Sequence, residues 1–418
     1  MERYREYKDS GIQWLGQIPG HWKTIRVKSL LSERVEKSDT GTEEPLSMSQ
    51  KYGIIPTKDM DVVPNMASTY VGAKKVFKND LVFNKLKAHL GVFAISNYDG
   101  LVSPDYAVYT PNERTYLPFM EYMFHTPLYI GEFTRKATGV AIGLTRLYTN
   151  GLFAIPFLYP PLSEQQAIVS YLNDKCAKID KMLEGKQKQI ELLAEMKQRI
   201  IADAVTRGID KEVSMKDSGV LFYKQVPETW KMKRMKYLFR ERSEKNHPEE
   251  QMLSATQTEG VIPQSQYANR VVVVTTGFEG LKLVKVGDFV IHLRSFQGGI
   301  EISHAQGIIS SAYTVLEPIN AEFSPYFRYL FKSSNFIDLL KTCVTGIREG
   351  QNINYSKLKQ FFLPVPPLHE QQEIVAYIKD RTAKIDTLSA KLQQEIERVK
   401  EYKQRLISDV VTGQIKVC

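Results

Sequence analysis

The chain has 418 residues, 43% of them apolar, and a net charge of +9. This length and apolar content allow two or three domains with cores of their own, and the positive charge favours a polyanionic partner such as nucleic acid. The longest apolar runs, for example residues 153–158 and 271–274, are too short to cross a bilayer. These short runs fit a protein with no membrane partner. The three cysteines lie far apart, without metal-binding or disulfide spacing, which fits a protein of the reducing cytoplasm.

An internal repeat runs through the sequence. The segment Pro-Pro-Leu-Ser-Glu-Gln-Gln, which begins at Pro160, returns from Pro366 as Pro-Pro-Leu-His-Glu-Gln-Gln. The likeness continues into Ala-Lys-Ile-Asp, which ends at Asp180 in the first copy and at Asp386 in the second. Weaker matches extend upstream, and between them the copies differ almost completely. Divergence by drift does not explain why the helical segments stayed alike, so the sequence predicts two similar scaffolds that carry different surfaces.

In each copy, short strand-like runs rich in β-branched and aromatic residues precede the helical part. The predicted strands, separated by turn residues, are 81–83, 92–95, 107–109 and 289–292. Residues 119–124 and 326–336 have the spacing of short amphipathic helices. The predicted fold class is therefore α+β, with two pseudo-repeated globular domains of ordinary size.

A long helix is predicted at the end of each copy. Ser163 and Gln166 have the spacing of a capping box, which should be weaker in the second copy because His369 replaces the serine. Apolar residues then follow a 4-3 spacing as far as Gly208 and Gly413, which are predicted to end the helices. Helices of about 40 residues span roughly 60 Å.

An apolar seam of this kind needs a partner helix, and the sister copy is the obvious one. Lys186 and Lys197, with Ser389 and Lys403, interrupt the seam. With short linkers, the chain closes most simply if the two helices run antiparallel as a coiled coil and the termini meet beside the first domain. The predicted segments are a first globular domain at 1–159, a central helix at 160–208, a second globular domain at 209–365 and a C-terminal helix at 366–418.

Two different globular domains held at a fixed separation suit two different DNA half-sites. The opening from Asp9 to Trp22, Asp-Ser-Gly followed by Trp-Leu-Gly-x-Ile-Pro-x-x-Trp, resembles the start of type I restriction–modification specificity subunits. The two Pro-Pro-Leu-x-Glu-Gln-Gln helix entries resemble the conserved regions of that family, and the resemblance covers nearly the whole chain.

The resemblance implies a non-catalytic subunit with two target-recognition domains, each of which binds half of a bipartite, asymmetric site on double-stranded DNA. It implies a spacer length set by the helices. It also implies two partners: two modification (methyltransferase) subunits, which methylate adenine, and restriction subunits, which cut DNA. No cofactor is expected in this chain, since S-adenosylmethionine, ATP and Mg²⁺ are expected in the partner subunits.

The candidate DNA-binding residues are polar or basic and lie where the two copies differ between shared anchors. Arg and Lys suit guanine edges, Asn and Gln suit adenine edges, and Lys, Arg and hydroxyl groups suit phosphates. In the first domain the candidates are Ser49, Gln50, Lys51, Lys85, Lys87, His89, Lys136, Arg146 and Tyr148. In the second domain they are Gln257, Thr258, His292, Arg294, Gln297, Arg348, Gln351, Asn352, Asn354 and Tyr355. The competing interpretation of each residue is a solvated loop end.

The Glu-Gln-Gln helix entries allow two interpretations. They either stabilise the fold at the start of each helix or form duplicated docking surfaces for the modification subunits. The predicted docking residues are Glu164, Gln165, Gln166, Glu370, Gln371 and Gln372. Trp22 and Trp230 are predicted to anchor the domain cores rather than to stack on bases.

The sequence gives little support for an enzyme. An adenine methyltransferase needs an Asn- or Asp-Pro-Pro-aromatic motif, and the nearest stretch, which ends at Tyr106, lacks the second proline. There is no P-loop, and the seven histidines are scattered. Two alternatives stay open: the recognition subunit of a different restriction system, and a structural coiled-coil bridge with no DNA role. An ATP-dependent translocase in the purified complex tests the first, and a steep salt dependence of binding tests the second.

Overall fold

The computed structural model describes residues 2–62, 69–139, 145–257, 259–267, 277–293, 295–346 and 352–417. The chain divides into two compact units. The first comprises Met1–Lys186 and Gln394–Cys418, and the second comprises Gln187–Gln393. Each unit therefore contains one globular part and one portion of each long helix.

The helices are α1 (Leu117–Phe124), α2 (Pro127–Lys136), α3 (Thr149–Phe153), α4 (Leu162–Arg207), α5 (Ser295–Gly298), α6 (Ser324–Leu330), α7 (Ser334–Lys341), α8 (Tyr355–Leu358) and α9 (Leu368–Val411). The strands of the first unit are β1 (Tyr7–Asp9), β2 (Gln17–Pro19), β3 (Lys23–Arg26), β4 (Leu31–Arg34), β5 (Leu46–Ser49), β6 (Gly53–Pro56), β7 (Lys74–Val76), β8 (Leu81–Asn84), β9 (Phe93–Ile95), β10 (Gly100–Val102), β11 (Tyr106–Pro111) and β12 (Pro156–Tyr159). Those of the second unit are β13 (Met215–Asp217), β14 (Gln225–Pro227), β15 (Lys231–Arg234), β16 (Phe239–Arg242), β17 (Leu253–Thr256), β18 (Gly260–Pro263), β19 (Lys282–Val284), β20 (Phe289–Ile291), β21 (Glu301–Ile302), β22 (Gly307–Ile309), β23 (Thr314–Pro318), β24 (Val344–Thr345), β25 (Asn352–Ile353) and β26 (Phe362–Val365).

The first unit is built around a four-stranded antiparallel sheet in the order β4, β11, β8, β9. Successive side chains of a strand point to opposite faces, and here both faces are covered. Leu81 and Phe83 of β8 pack in the larger core, to which α1 and α2 also contribute. Val82 packs in a smaller core with Leu46 and Ile54 of the β5–β6 hairpin. Burial on both faces is the reason that β8 is apolar at consecutive positions.

The second unit repeats this plan. Its four-stranded antiparallel sheet has the order β16, β23, β20, β21. Phe289 and Ile291 of β20 pack in the larger core, and Val290 packs in the smaller one. The hairpin β17–β18 and the pair β19–β22 correspond to β5–β6 and β7–β10. The predicted α+β class with two pseudo-repeated domains is confirmed, as are the predicted strands, apart from small differences at their ends.

One predicted helix is wrong. Residues 326–336 form the end of α6 and the beginning of α7, separated by a short break. Ser333 lies in the break and its hydroxyl accepts a hydrogen bond from the Phe336 backbone N–H, which starts a new helix. The apolar spacing continues through the break because Leu330, Phe331 and Phe336 all pack in the same core.

The long helices begin and end near the predicted positions. The carbonyl oxygen of Pro161 accepts hydrogen bonds from the backbone N–H groups of Glu164 and Gln165, both at 3.0 Å. Ser163 therefore lies inside the first turn, and the predicted cap at this serine is wrong. Gly208 follows α4 with φ +77°, and Gly413 follows α9 with φ +75°, so the predicted glycine ends are confirmed.

Within each unit, α4 and α9 run antiparallel. In the first unit Asp180 bonds Lys403 Nζ at 2.6 Å and Lys186 bonds Glu395. In the second unit Lys197 Nζ lies 2.6 Å from the carboxylate of Asp386. Each lysine that interrupts the seam thus pairs with a carboxylate of the other helix.

Asp180 and Asp386 are the last residues of the repeated Ala-Lys-Ile-Asp segments. Their ion pairs with the opposite helix give a physical reason for the repetition of this segment. The chain termini also meet within the first unit, as predicted. The backbone N–H of Lys416 donates to the carbonyl oxygen of Glu2 at 2.9 Å. The Tyr7 hydroxyl donates to the carbonyl oxygen of Gly413 at 3.0 Å.

An ion pair between a buried aspartate and a partly buried arginine recurs in both sheets. Asp80 accepts hydrogen bonds from Arg34 Nε at 2.8 Å and Nη2 at 3.0 Å. Asp288 accepts from Arg242 Nε at 2.8 Å and Nη2 at 3.3 Å. Each carboxylate also accepts a backbone N–H at 2.8 Å. Arg34 ends the edge strand β4 and Arg242 ends the edge strand β16. Each ion pair therefore links an edge strand to the turn before a central strand, β8 in the first sheet and β20 in the second.

Among the residues that the structure describes, no helix is both long and apolar enough to cross a membrane. In the same part of the chain, no group of three or more His, Cys, Asp or Glu side chains is placed to bind a metal ion. Cys176 and Cys343 are buried and not joined to each other.

Candidate nucleic-acid interface

The fold brings together the three stretches of the first unit in which DNA-binding residues are predicted. The side-chain amide of Gln50, in the β5–β6 turn, donates a hydrogen bond to the carbonyl oxygen of Leu90. The backbone N–H of Leu147 donates to the carbonyl oxygen of Lys85 at 3.0 Å. The stretch that follows β8 therefore lies between the other two, and residues distant in sequence lie side by side.

Lys85 is half-buried and follows the last residue of β8. Burial, followed by the charge of Lys74, lowers the pKa of its ammonium group; the charges of Asp105 and Glu33 partly oppose this shift, and that of Arg146 adds to it. The two neighbouring cations are only loosely paired, Lys74 with Glu33 at 3.6 Å and Arg146 with Asp105 at 3.6 Å. In the described part of the chain, no carboxylate lies within ion-pair distance of Lys85.

Lys74, Lys85 and Arg146 are here called the Lys85 cluster. A phosphate or a guanine edge beside these cations would relieve their mutual repulsion. Lys74 was not among the residues predicted from sequence. The sequence feature that could have identified Lys74 is that both copies have a lysine at this position, since Lys282 holds the equivalent place in β19.

Lys51 has a different environment. Its Nζ lies 3.0 Å from Asp61 Oδ2 and 4.4 Å from the centre of the Tyr52 ring. The Tyr52 hydroxyl donates to the same carboxylate at 2.7 Å, and the Ser49 hydroxyl accepts the Tyr52 backbone N–H at 3.0 Å. Lys51 is exposed but already paired, so a DNA phosphate would bind it in exchange for Asp61.

The remaining candidates of the first unit differ in exposure. Lys87 and Tyr148 are exposed, whereas His89 and Lys136 are half-buried. Lys136 is the last residue of α2, and Tyr148 directly precedes α3.

In the second unit, Lys332 joins two of the predicted stretches. Its Nζ donates to the carbonyl oxygens of Gln257 at 3.1 Å and Gly298 at 2.9 Å, and it pairs with the buried carboxylate of Glu301. Gln257 and Gln297 are exposed beside this junction. The structure thus places the β17–β18 turn next to α5, as it places the corresponding stretches of the first unit.

His292 is more buried than expected for a residue that contacts DNA bases from the protein surface. It is buried, its backbone N–H donates to Ser295 Oγ at 2.9 Å, and its ring lies 6.2 Å from that of Tyr313. Its equivalent in the first unit is Asn84, which pairs in register with Tyr106. A direct base contact by His292 stays a prediction.

The threonine of the shared Thr-Gly pair takes part in an antiparallel pairing in both units, a single bridge in the first and a two-residue ladder in the second. Thr138 pairs with Arg146 in the first unit, and Thr345 pairs with Asn352 in the second. The same backbone position therefore presents an arginine in one unit and an asparagine in the other.

Asn354 and Tyr355 follow this ladder at the start of α8. The Asn354 side chain accepts the Lys357 backbone N–H at 3.1 Å and so caps the helix. Burial raises the pKa of Tyr355 to about 12. The predicted residues Thr258, Arg294, Arg348 and Gln351 lie outside the described residues.

The two glutamates of the predicted docking segments connect the long helices to the domain cores. Trp22 Nε1 donates to Glu164 at 3.1 Å, and Trp230 Nε1 donates to Glu370 at 2.7 Å. Both indole rings are fully buried, which confirms their predicted role as core anchors. Glu164 is further bonded by His21 at 2.8 Å.

The glutamines of these segments divide into two kinds. Gln165 and Gln371 are buried, and their amides donate at 2.8 Å to the carbonyl oxygens of Pro160 and Pro366. Gln166 and Gln372, one position later, are exposed. The glutamates and the first glutamines thus fit the fold-stabilising interpretation, and docking stays a prediction that the exposed glutamines are best placed to fulfil.

Replacing Gln165 with alanine is expected to lower the free energy of unfolding of the first unit by about 1–3 kcal/mol, since the buried carbonyl of Pro160 loses its donor. Replacing Gln166 with alanine is expected to change stability by no more than about 0.5 kcal/mol and to weaken assembly with the methyltransferase subunit. Urea unfolding and co-purification measure the two effects. Unchanged assembly with the Gln166 variant would count against docking at this residue.

The sequence model of the family described as type I restriction modification DNA specificity domain matches the chain twice, at residues 19–192 and 227–398. A putative type I restriction enzyme MjaX specificity subunit from Methanocaldococcus jannaschii is 22% identical and aligns over 96% of this chain and 96% of its own length. The type I restriction enzyme EcoKI specificity subunit from Escherichia coli K12 is 30% identical over 24% of this chain and 22% of its own length.

Two solved structures share the fold. The HsdS subunit from Thermoanaerobacter tengcongensis matches with a TM-score of 0.52 at 16% identity, over 95% of this chain and 98% of the other. A chain from a structural study of complex assembly and conformational transition of the type I R-M system matches with a TM-score of 0.68 at 14% identity, over 95% and 99%.

The duplicated fold and the two family matches define a protein with two DNA-specificity domains. The chain belongs to the type I restriction–modification specificity family, as a specificity subunit.

Proposed function

We propose that this chain is the non-catalytic DNA-reading subunit of a type I restriction–modification complex and that each unit binds one half of a bipartite, asymmetric site. The observation that carries the proposal is that one framework presents different side chains at equivalent positions. Arg146 stands in the ladder where the second unit has Asn352, and Lys85 stands where it has Leu293. Since arginine suits guanine and asparagine suits adenine, the two units would select different bases.

The remaining parts of the proposal follow from family membership. Two modification subunits would methylate adenine, and restriction subunits would translocate and cut the DNA. S-adenosylmethionine, ATP and Mg²⁺ would be bound by these partners, in the cytoplasm. The paired helices α4 and α9 would set the length of the unspecified spacer. The net charge of +9 supports a contribution of phosphate contacts to affinity.

The test is genome-wide mapping of adenine methylation in a host that expresses this chain with its modification subunit. We expect a new asymmetric motif of two short blocks separated by a fixed, unspecified spacer. The modification subunit expressed alone is the control and should give no such motif. Exchanging the globular part of one unit for that of a relative should change one block and leave the other intact. Complex that assembles on DNA without any new methylated motif would contradict the proposal.

A further inference from the structure

The second unit contains a cavity of about 360 Å³ beside the β17–β18 hairpin. Its lining is partly apolar but includes two phenol rings, two hydroxyl groups and a carboxamide, contributed by Tyr267, Tyr313, Ser254, Ser310 and Gln264. This volume lies at the lower end of the range for small-molecule sites, which is about 300–1,000 Å³.

One polar group in this lining, the hydroxyl of Ser254, has no hydrogen-bond partner among the described residues. Ser254 is more than nine-tenths buried, and its hydroxyl makes no hydrogen bond within the part of the chain that the structure describes. A buried hydroxyl without a partner costs free energy, so such groups are rare unless a ligand or water satisfies them.

In the first unit, the hydroxyl at the equivalent position has a hydrogen-bond partner. Ser47 is the equivalent of Ser254, because Ser47 pairs in register with Ile55 and Ser254 pairs with Ile262, the residue at the same position of the following strand. The Ser47 hydroxyl lies 2.9 Å from the hydroxyl of Thr57. Gln264 holds the place of Thr57 in the second unit and leaves Ser254 unpaired.

The adjacent position also differs between the units. Ala255 lines the cavity and packs against the smaller apolar core of the second unit, and its equivalent in the first unit, Met48, packs against the corresponding core with a longer side chain. The second unit thus has a shorter side chain here and a hydroxyl that lacks its partner. Both differences favour a space that accepts a ligand.

The cavity adjoins residues predicted to bind DNA. Gln257 follows the same strand, β17, and the ring of Tyr313 lies 6.2 Å from that of His292. A ligand in the cavity would therefore be close to the proposed DNA-contacting side of the second unit.

We propose that this cavity binds a nucleobase, an inference that rests on the proposed DNA-reading function of the second unit. Proteins that hold an unstacked base combine aromatic or apolar side chains against its faces with hydrogen-bonding groups at its edge. Tyr267 and Tyr313 supply the first, and Gln264 with Ser254 supplies donors and acceptors for the second. The base comes either from the bound duplex, turned out of its stack, or from a free nucleoside.

The test uses the full complex of this chain with its modification subunit and three variants. Ala255→Met introduces the larger side chain of the first unit, and Gln264→Thr restores a hydroxyl partner for Ser254. Gln266→Thr is the matched control, since Gln266 is exposed in the same turn and does not line the cavity. The probes are duplexes that carry 2-aminopurine at successive positions in and beside the second half-site found by methylation mapping.

For a base from the duplex, we expect one probe position to gain fluorescence on binding, with the gain lost in Ala255→Met and Gln264→Thr and kept in Gln266→Thr. For a free base, millimolar adenosine, guanosine, cytidine or thymidine should raise the unfolding temperature of the wild-type chain and the control but not of the two cavity variants. A fluorescence gain that persists in Ala255→Met belongs to a base held elsewhere and counts against the cavity.

The inference is overturned if neither fluorescence nor thermal protection differs between the wild type and the cavity variants. The methylation motif separates this failure from failure of the proposed function. Cavity variants that still produce a two-block motif, without any difference in the two readouts, would refute only the nucleobase site. Absence of a motif from the wild-type complex would refute the proposed function itself.

Discussion

Replacing Asp80 with alanine is expected to lower the free energy of unfolding of the first unit by about 2–4 kcal/mol, somewhat below the loss for a fully buried ion pair because Arg34 is partly exposed. Arg34 would lose both hydrogen bonds to the carboxylate and keep Glu36, 3.9 Å away, and the ring of Phe77, whose centre lies 4.6 Å from the guanidinium. The backbone N–H of Phe77 and the hydroxyl of Thr110 would lose the same acceptor. Urea titration, followed by hydrogen exchange in peptides of the first unit, measures the change.

The second unit provides the matched comparison. Asp288→Ala removes the equivalent carboxylate, but Arg242 keeps Glu317 at 2.9 Å and Glu244 at 3.4 Å. We therefore expect a smaller loss of stability, confined to peptides of the second unit. An Asp80→Ala chain that unfolds within about 1 kcal/mol of the wild type would show that Arg34 finds another partner and that this pair does not fasten the sheet.

Replacing Lys85 with alanine is expected to weaken binding to the specific DNA site by about 1–3 kcal/mol, roughly fivefold to 150-fold, and to relax base preference in the first half-site only. Within the described residues, Lys85 is the least paired cation of the Lys85 cluster, and its carbonyl oxygen accepts the Leu147 backbone N–H, which places it beside Arg146. Titration of the full complex with duplexes altered in one half-site at a time measures both effects.

Lys87→Ala is the matched control for this experiment. Lys87 is exposed and two positions away, so it is expected to act as a phosphate contact, with a modest loss of affinity that is uniform across sequences and a salt slope reduced by about 1. Equal loss in both half-sites on Lys85→Ala would contradict the assignment of base reading to Lys85.

Because of Lys85, the affinity for DNA should fall as the pH rises in the alkaline range. Burial and its cationic neighbours lower the pKa of its ammonium group in the free chain, whereas a bound phosphate or guanine edge would raise it. Binding then takes up a proton above the lowered pKa, and affinity falls as the pH rises through that range. Lys85→Arg keeps its charge at these pH values, so its affinity should lack this component. Identical pH profiles for the wild type and Lys85→Arg would exclude the effect.

Several features of the protein were determined by its sequence alone. The repeat predicted two scaffolds of the same fold, and runs rich in β-branched and aromatic residues predicted four of the strands, β8, β9, β11 and β20. The 4-3 spacing predicted the two long helices, whose ends at Gly208 and Gly413 are confirmed. These features depend on neighbours within one strand or helix, and such neighbours are fixed by the local period of the chain. The predicted helix at 326–336 failed for the same reason, since its apolar period continues across the break at Ser333.

Only the tertiary structure decided which distant residues adjoin and which polar groups are buried. Gln165 and Gln166 are neighbours of the same type, yet one is bonded inside the core and the other is exposed, because the helix turns successive side chains through about 100°. The stretches around Gln50, Lys85 and Leu147 meet because the sheet order brings their loops to one place. Within the part of the chain that the structure describes, the Ser254 hydroxyl has no partner because strand register brings Gln264 to the place that Thr57 holds in the first unit, and no local period specifies that register.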